Sequence, residues 1–212
     1  MGERVIESKK KFLLCAVGCV ALLVISSAQA VPYSIEPFTQ NGLYFNSSEL
    51  DIFVDVQPGT DSLVEFTFHN QSSISSYIAE IYFDADSLLS YVGITGSSGA
   101  GVSFVEQAKP ASLPGGKTLN PVFAVSEGFS FDATPPAPHN GIGQQEWLTV
   151  TFGLNSGTFG DLLTWLDSGE VRIGTHVIGL PDGSSESGTT VPEPATIILL
   201  GLSSLALLRR RN

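Results

Sequence analysis

The chain has 212 residues, enough for one domain or two small ones, with 21 acidic residues against 10 basic ones and a formal charge of −11. Seven of the basic residues sit in the two termini, so the stretch between keeps Lys109, Lys117 and Arg172 against 18 acids. A surface of that sign repels phosphate backbones, and no nucleic-acid partner is expected.

The front end carries Arg4 and Lys9-Lys10-Lys11, then an uncharged, almost wholly apolar run over residues 12–25, then Ser26-Ser27-Ala28-Gln29-Ala30. A basic flank, an apolar run of this length and a small-residue exit make a secretory signal peptide over residues 1–30. Ala28 and Ala30 form its cleavage pattern, because the pockets of signal peptidase accept only small side chains. The run is shorter than the ~20 apolar residues of a permanent span. Cys15 and Cys19, the two cysteines, both fall inside it. The exported body is therefore expected to have no disulfide, no thiolate zinc site and no cysteine nucleophile.

The body, residues 31–183, alternates. Leu50, Ile52, Val54 and Val56 share one face, Val64, Phe66 and Phe68 another, and Tyr77, Ala79, Ile81 and Phe83 a third. Leu148, Val150 and Phe152 follow, with Trp147, Thr149 and Thr151 opposite, and then Val171, Ile173 and Val177. Residues 102–105, 121–125 and 129–131 read as shorter strands. Period-two rows between Gly, Pro, Ser and Asn clusters predict an all-β, antiparallel, jelly-roll-like β-sandwich. One short helix interrupts it. Thr158 and Asp161 make its N-terminal cap, Leu162, Leu163 and Leu166 fall on one side, and Gly169 ends it. Residues 184–190 are polar and read as a linker.

The candidate chemistry is thin. The three histidines, His69, His139 and His176, show no tight metal spacing, and no nucleophile elbow, phosphate loop or dinucleotide fingerprint occurs. Arg172 and His176 lie four apart on a strand and share a face. Arg172 is expected to pair with a carboxylate, with a ligand contact as the sharper reading. Asp84 and Asp86 offer two oxygens to Ca²⁺ at a strand end, the one cofactor candidate, but the rest of a Ca²⁺ loop is missing. Trp147, opposite a core row, offers a stacking surface to a sugar ring.

The tail, residues 191–212, opens with Val191-Pro192-Glu193-Pro194, continues as an uncharged helix over residues 195–208 and ends on Arg209-Arg210-Arg211. Such a helix is roughly 21 Å long against a hydrocarbon core of ~30 Å, so it lodges in a bilayer with thinning or snorkelling. The arginines hold the cytoplasmic side as a membrane stop. This order of parts closely resembles the PEP-CTERM sorting signal. The resemblance implies an exported protein of a Gram-negative bacterium, processed by a membrane cysteine peptidase of the exosortase type that recognises Pro192, Glu193 and Pro194. It also implies a setting of exopolysaccharide, biofilm or floc. Arg172–Ser187 and Ile81–Asp84 are similar to segments of such ectodomains, and neither brings an activity.

The expectation is a non-enzymatic surface or matrix protein. It is tethered to the inner membrane by its tail and then displayed or released, with signal peptidase, an exosortase-type peptidase and exopolysaccharide as partners. A carbohydrate-binding sandwich is the alternative reading, and a secreted hydrolase is the third.

Overall fold

The computed structural model describes residues 29–191, except 86, 100, 107, 109, 110, 137 and 138. The expected signal segment through Ala28, the Pro192-Glu193-Pro194 tripeptide, the expected tail helix over residues 195–208 and Arg209 to Arg211 lie outside the described residues. Among those described, no helix is long and apolar enough to cross a membrane.

Among the described residues, ten strands and one α-helix make the body. They are β1 (Val31–Pro37), β2 (Ile52–Pro58), β3 (Leu63–Asn70), β4 (Tyr77–Asp84), β5 (Leu89–Ser97), β6 (Phe104–Glu106), β7 (Ser130–Ala133), β8 (Glu146–Leu154), α1 (Phe159–Ser168), β9 (Arg172–Ile178) and β10 (Glu186–Thr190). Every pairing is antiparallel. The all-β expectation therefore holds, but the two sheets are joined. They form one ten-stranded sheet in the order β5-β8-β3-β2-β1-β10-β9-β4-β7-β6. The join is β1: its first half, Val31 to Ser34, pairs with β2, and its second half, from Ile35, pairs with β10. The sheet rolls nearly into a barrel. Consecutive strands β1, β2 and β3 are neighbours in the order, so it is not that of a jelly roll, and β6 pairs with β7 at the opposite end from β5.

The two halves face each other across an aromatic core. Phe83 of β4 meets Phe66 of β3 at 5.2 Å and Phe152 of β8 at 4.7 Å between ring centroids. Phe131 of β7 packs edge-on against Phe83 at 6.2 Å. Offset and edge-on rings of this kind add to the stabilisation that apolar burial provides. Tyr91 of β5 lies near the open seam, with Phe131 at 5.2 Å. Burial first, then the Glu106 carboxylate from β6, raises its hydroxyl above the usual tyrosine range.

Alternation placed Tyr77, Ala79, Ile81 and Phe83 on one face, and the structure alters that. The register against β9 shifts between Ile78 and Glu80. The bulge hands the first inward position to Ile78, so Ile78, Ile81 and Phe83 reach the main core. The segment 121–125 is not a strand. It runs with Ala108 and Leu113 over the outside of β4 and β9, where Leu113, Phe123 and Tyr82 form a second apolar cluster. Gly174 makes this possible, because a Cβ there would sit 2.6 Å from the Leu113 side chain.

Helix α1 forms as its sequence dictates. The Asp161 amide donates to the Thr158 hydroxyl and the Thr158 amide to the Asp161 carboxylate, while Gly169 takes a left-handed φ of 76° as the C-cap. Leu162 and Leu166 are buried in the core.

The largest correction concerns residues 184–190. They are not a linker: Glu186 to Thr190 is β10, held between β1 and β9. The strand carries no large apolar residue, so hydropathy gives no sign of it. It is buried because its residues are small and its polar groups are paired. Gly188 lies so close to β1 that a Cβ would come within 2.9 Å of Ile35. The buried Glu186 carboxylate accepts from the Thr39 hydroxyl at 2.5 Å and from the Asn41 and Gly42 amides at 2.9 and 2.8 Å.

Candidate functional site

Arg172 and His176 do share the outward side of β9, and each meets a carboxylate of β4. Arg172 donates to Asp84, to the Pro121 carbonyl at 2.7 Å and to the Val122 carbonyl at 2.6 Å. Its guanidinium lies 5.2 Å from the centroid of the Phe123 ring. His176 Nδ1 stands 2.9 Å from the Glu80 carboxylate, which also accepts from the Tyr82 hydroxyl at 2.9 Å. Burial first, then the Glu80 charge, pushes the Tyr82 hydroxyl far above the usual tyrosine range. The expected carboxylate partner of Arg172 is thus Asp84, and the arrangement clamps the outer segment onto the barrel.

Asp84 was also half of the Ca²⁺ candidate. Its Oδ2 accepts from Arg172 and from the Ala124 amide, and residue 86 lies outside the described residues. Among the described residues no group of three or more His, Cys, Asp or Glu is gathered for a metal ion.

Trp147 has company that the sequence did not announce. His69 of β3 stands between Phe53 of β2 and Trp147 of β8 as their cross-strand partner. Phe53 and His69 stack at 4.7 Å with planes 14° apart. His69 Nε2 lies 3.3 Å from the Asp55 carboxylate. On the far side the Trp147 ring lies over Gly96, where a Cβ would approach within 3.0 Å. Three half-buried rings therefore run across neighbouring strands on the outside of the barrel, beside the hydroxyl pair Thr67–Thr149 at 2.9 Å. The Phe53–His69 stack covers one face of each of those rings and Trp147 covers Gly96, so the row offers the outer ring faces and edges beside the Asp55 carboxylate and the two threonine hydroxyls. Phe53 and His69 were missed because each reads alone as an isolated outward residue. Only the pairing register brings them beside Trp147.

The remaining sites lie at the chain ends. Ala30 of the expected cleavage pattern directly precedes β1, which begins at Val31. At the other end the chain leaves the central strand β10 at Thr190.

The described residues thus form a nearly closed antiparallel β domain whose last strand, β10, is central in the sheet. Residues 190–212 match the model of the PEP-CTERM protein-sorting motif, so the chain carries that motif in its C-terminal segment. The motif implies export and cell-surface sorting through an exosortase-type system. A comparison with curated proteins finds no match to the chain.

Proposed function

We propose that the protein is a non-catalytic component of the cell surface or extracellular matrix, associated with exopolysaccharide or biofilm. The match of residues 190–212 to the sorting motif carries this reading. Signal peptidase removes residues 1–30, the apolar tail tethers the body to the inner membrane, and an exosortase-type peptidase acts at Pro192, Glu193 and Pro194. Intact mass spectrometry of the protein from membranes and from culture medium tests it. Loss of the first 30 residues in both fractions, and of a tail segment in the medium, is expected. A full-length soluble chain in the cytosol would sink it.

A second reading, a carbohydrate-binding module, is favoured by the row Phe53, His69 and Trp147. Stacking on aromatic faces is the contact that pyranose rings make best. Binding to a glycan array or to the cell's own exopolysaccharide is expected to fall at least tenfold in Trp147→Ala. Unchanged binding by that variant would remove the row from consideration.

A further inference from the structure

Both ends of the body leave it at one rim. β1 and β10 are antiparallel, with Ile35 opposite Thr190 and Pro37 opposite Gly188. A chain continuing past Thr190 therefore heads the same way as β1 traced back to Val31. The same rim receives the end of β4, where Asp84 faces Arg172, and the end of β8, where Leu154 faces Leu89. Helix α1 lies there too, and the Tyr33 hydroxyl of β1 donates to Asp167 of the helix at 3.0 Å.

The exit is rigid. β10 is hydrogen-bonded along both edges. The Ile173 amide donates to the Thr190 hydroxyl at 3.1 Å, and the Thr189 hydroxyl donates to the Ile173 carbonyl at 3.0 Å. Val191 alone separates this fixed strand from Pro192. Fully extended, the step from Thr190 to Glu193 spans roughly 10 Å.

We infer that the rim carrying α1, Val31 and Thr190 faces the lipid bilayer, and that the processing peptidase meets Pro192, Glu193 and Pro194 against this rim with no slack. The inference rests on the reading of residues 191–212 as a membrane-lodged tail. The occupant of the rim is the bilayer, brought there by where the chain leaves the fold. Asp161, Asp167 and Glu170 are exposed on this side, and their hydrated charges keep the rim at the lipid surface rather than inserted into it. The opposite end holds the start of β2, the end of β3 and the start of β8. Phe53, His69 and Trp147 therefore stand on the membrane-distal half, turned towards whatever lies outside.

Energy transfer to lipid measures the orientation. The membrane-fraction form of the exported chain, which lacks Cys15 and Cys19 once residues 1–30 are removed, is reconstituted into zwitterionic vesicles with an acceptor-labelled lipid. A donor is attached through Glu170→Cys at the rim or Ser73→Cys at the far end, both positions being exposed. Transfer from position 170 is expected to exceed that from position 73 several-fold. A flexible Gly/Ser insert of about a dozen residues between Val191 and Pro192 is expected to shrink the difference. Equal or reversed transfer in vesicle-bound protein that keeps its native circular dichroism would overturn the orientation while leaving the tether intact. Failure to float with the vesicles would overturn the tether, and the inference with it.

Discussion

Arg172 of β9 and Asp84 of β4 face each other across the strand pair, and the same guanidinium holds the carbonyls of Pro121 and Val122. Both side chains are mostly buried, at 14% and 12% exposure. The body's only arginine thus closes the outer segment over Tyr82 and Gly174. Arg172→Met leaves the Asp84 charge without its partner and frees that segment. A loss of about 3 kcal/mol in urea unfolding is expected. Arg172→Met combined with Asp84→Leu is expected to recover part of it, because no lone charge then remains. An Arg172→Met protein as stable as the parent would remove the clamp from the account.

The Thr175 hydroxyl is fully buried and has no hydrogen-bond partner among the described residues. Thr175→Val keeps the shape and removes the unpaired polar group. The variant is expected to gain about 1 kcal/mol, read as a higher midpoint in urea at unchanged slope. A loss of stability would show that the hydroxyl has a partner such as a buried water.

Two truncations separate a linker from a strand. A chain ending at Ser185 removes β10 and leaves β1 and β9 unpaired along one edge each. It is expected to lose its cooperative thermal transition. A chain ending at Val191 retains all ten strands and is expected to melt close to the tail-bearing protein. Similar melting of both would return residues 186–190 to the role of a tether.

The cap of α1 titrates. Hydrogen bonds from Thr158 hold the Asp161 carboxyl below its ordinary value of 3.8. A depressed folded value means that the charged form stabilises the fold above the unfolded value, and that this contribution is lost as pH falls through the folded one. Helix stability is therefore expected to drop below about pH 4. Thr158→Ala is expected to cost about 1 kcal/mol at pH 7 and correspondingly less in acid, where the cap is already weakened. Thermal melts of both proteins at pH 7 and pH 3 check the sign.

By itself the sequence determined what depends on near neighbours. Alternation in β2, β3 and β8 shows which residues face inward, because side chains along a strand point to opposite faces whatever the partner. The Thr158–Asp161 cap and the Gly169 stop are equally local, and the sorting tail is a linear signal meant to be read in order. The tertiary structure alone decided what depends on distant partners. The bulge in β4 moved Ile78 inward because β9 imposes the register there. Glu186 to Thr190 became a central strand without any apolar signal, because β1 and β9 supply the hydrogen bonds and Gly188 permits the close approach. Phe53, His69 and Trp147 form one row only because β2, β3 and β8 are neighbours in this register, and pairing order is a property of the whole sheet.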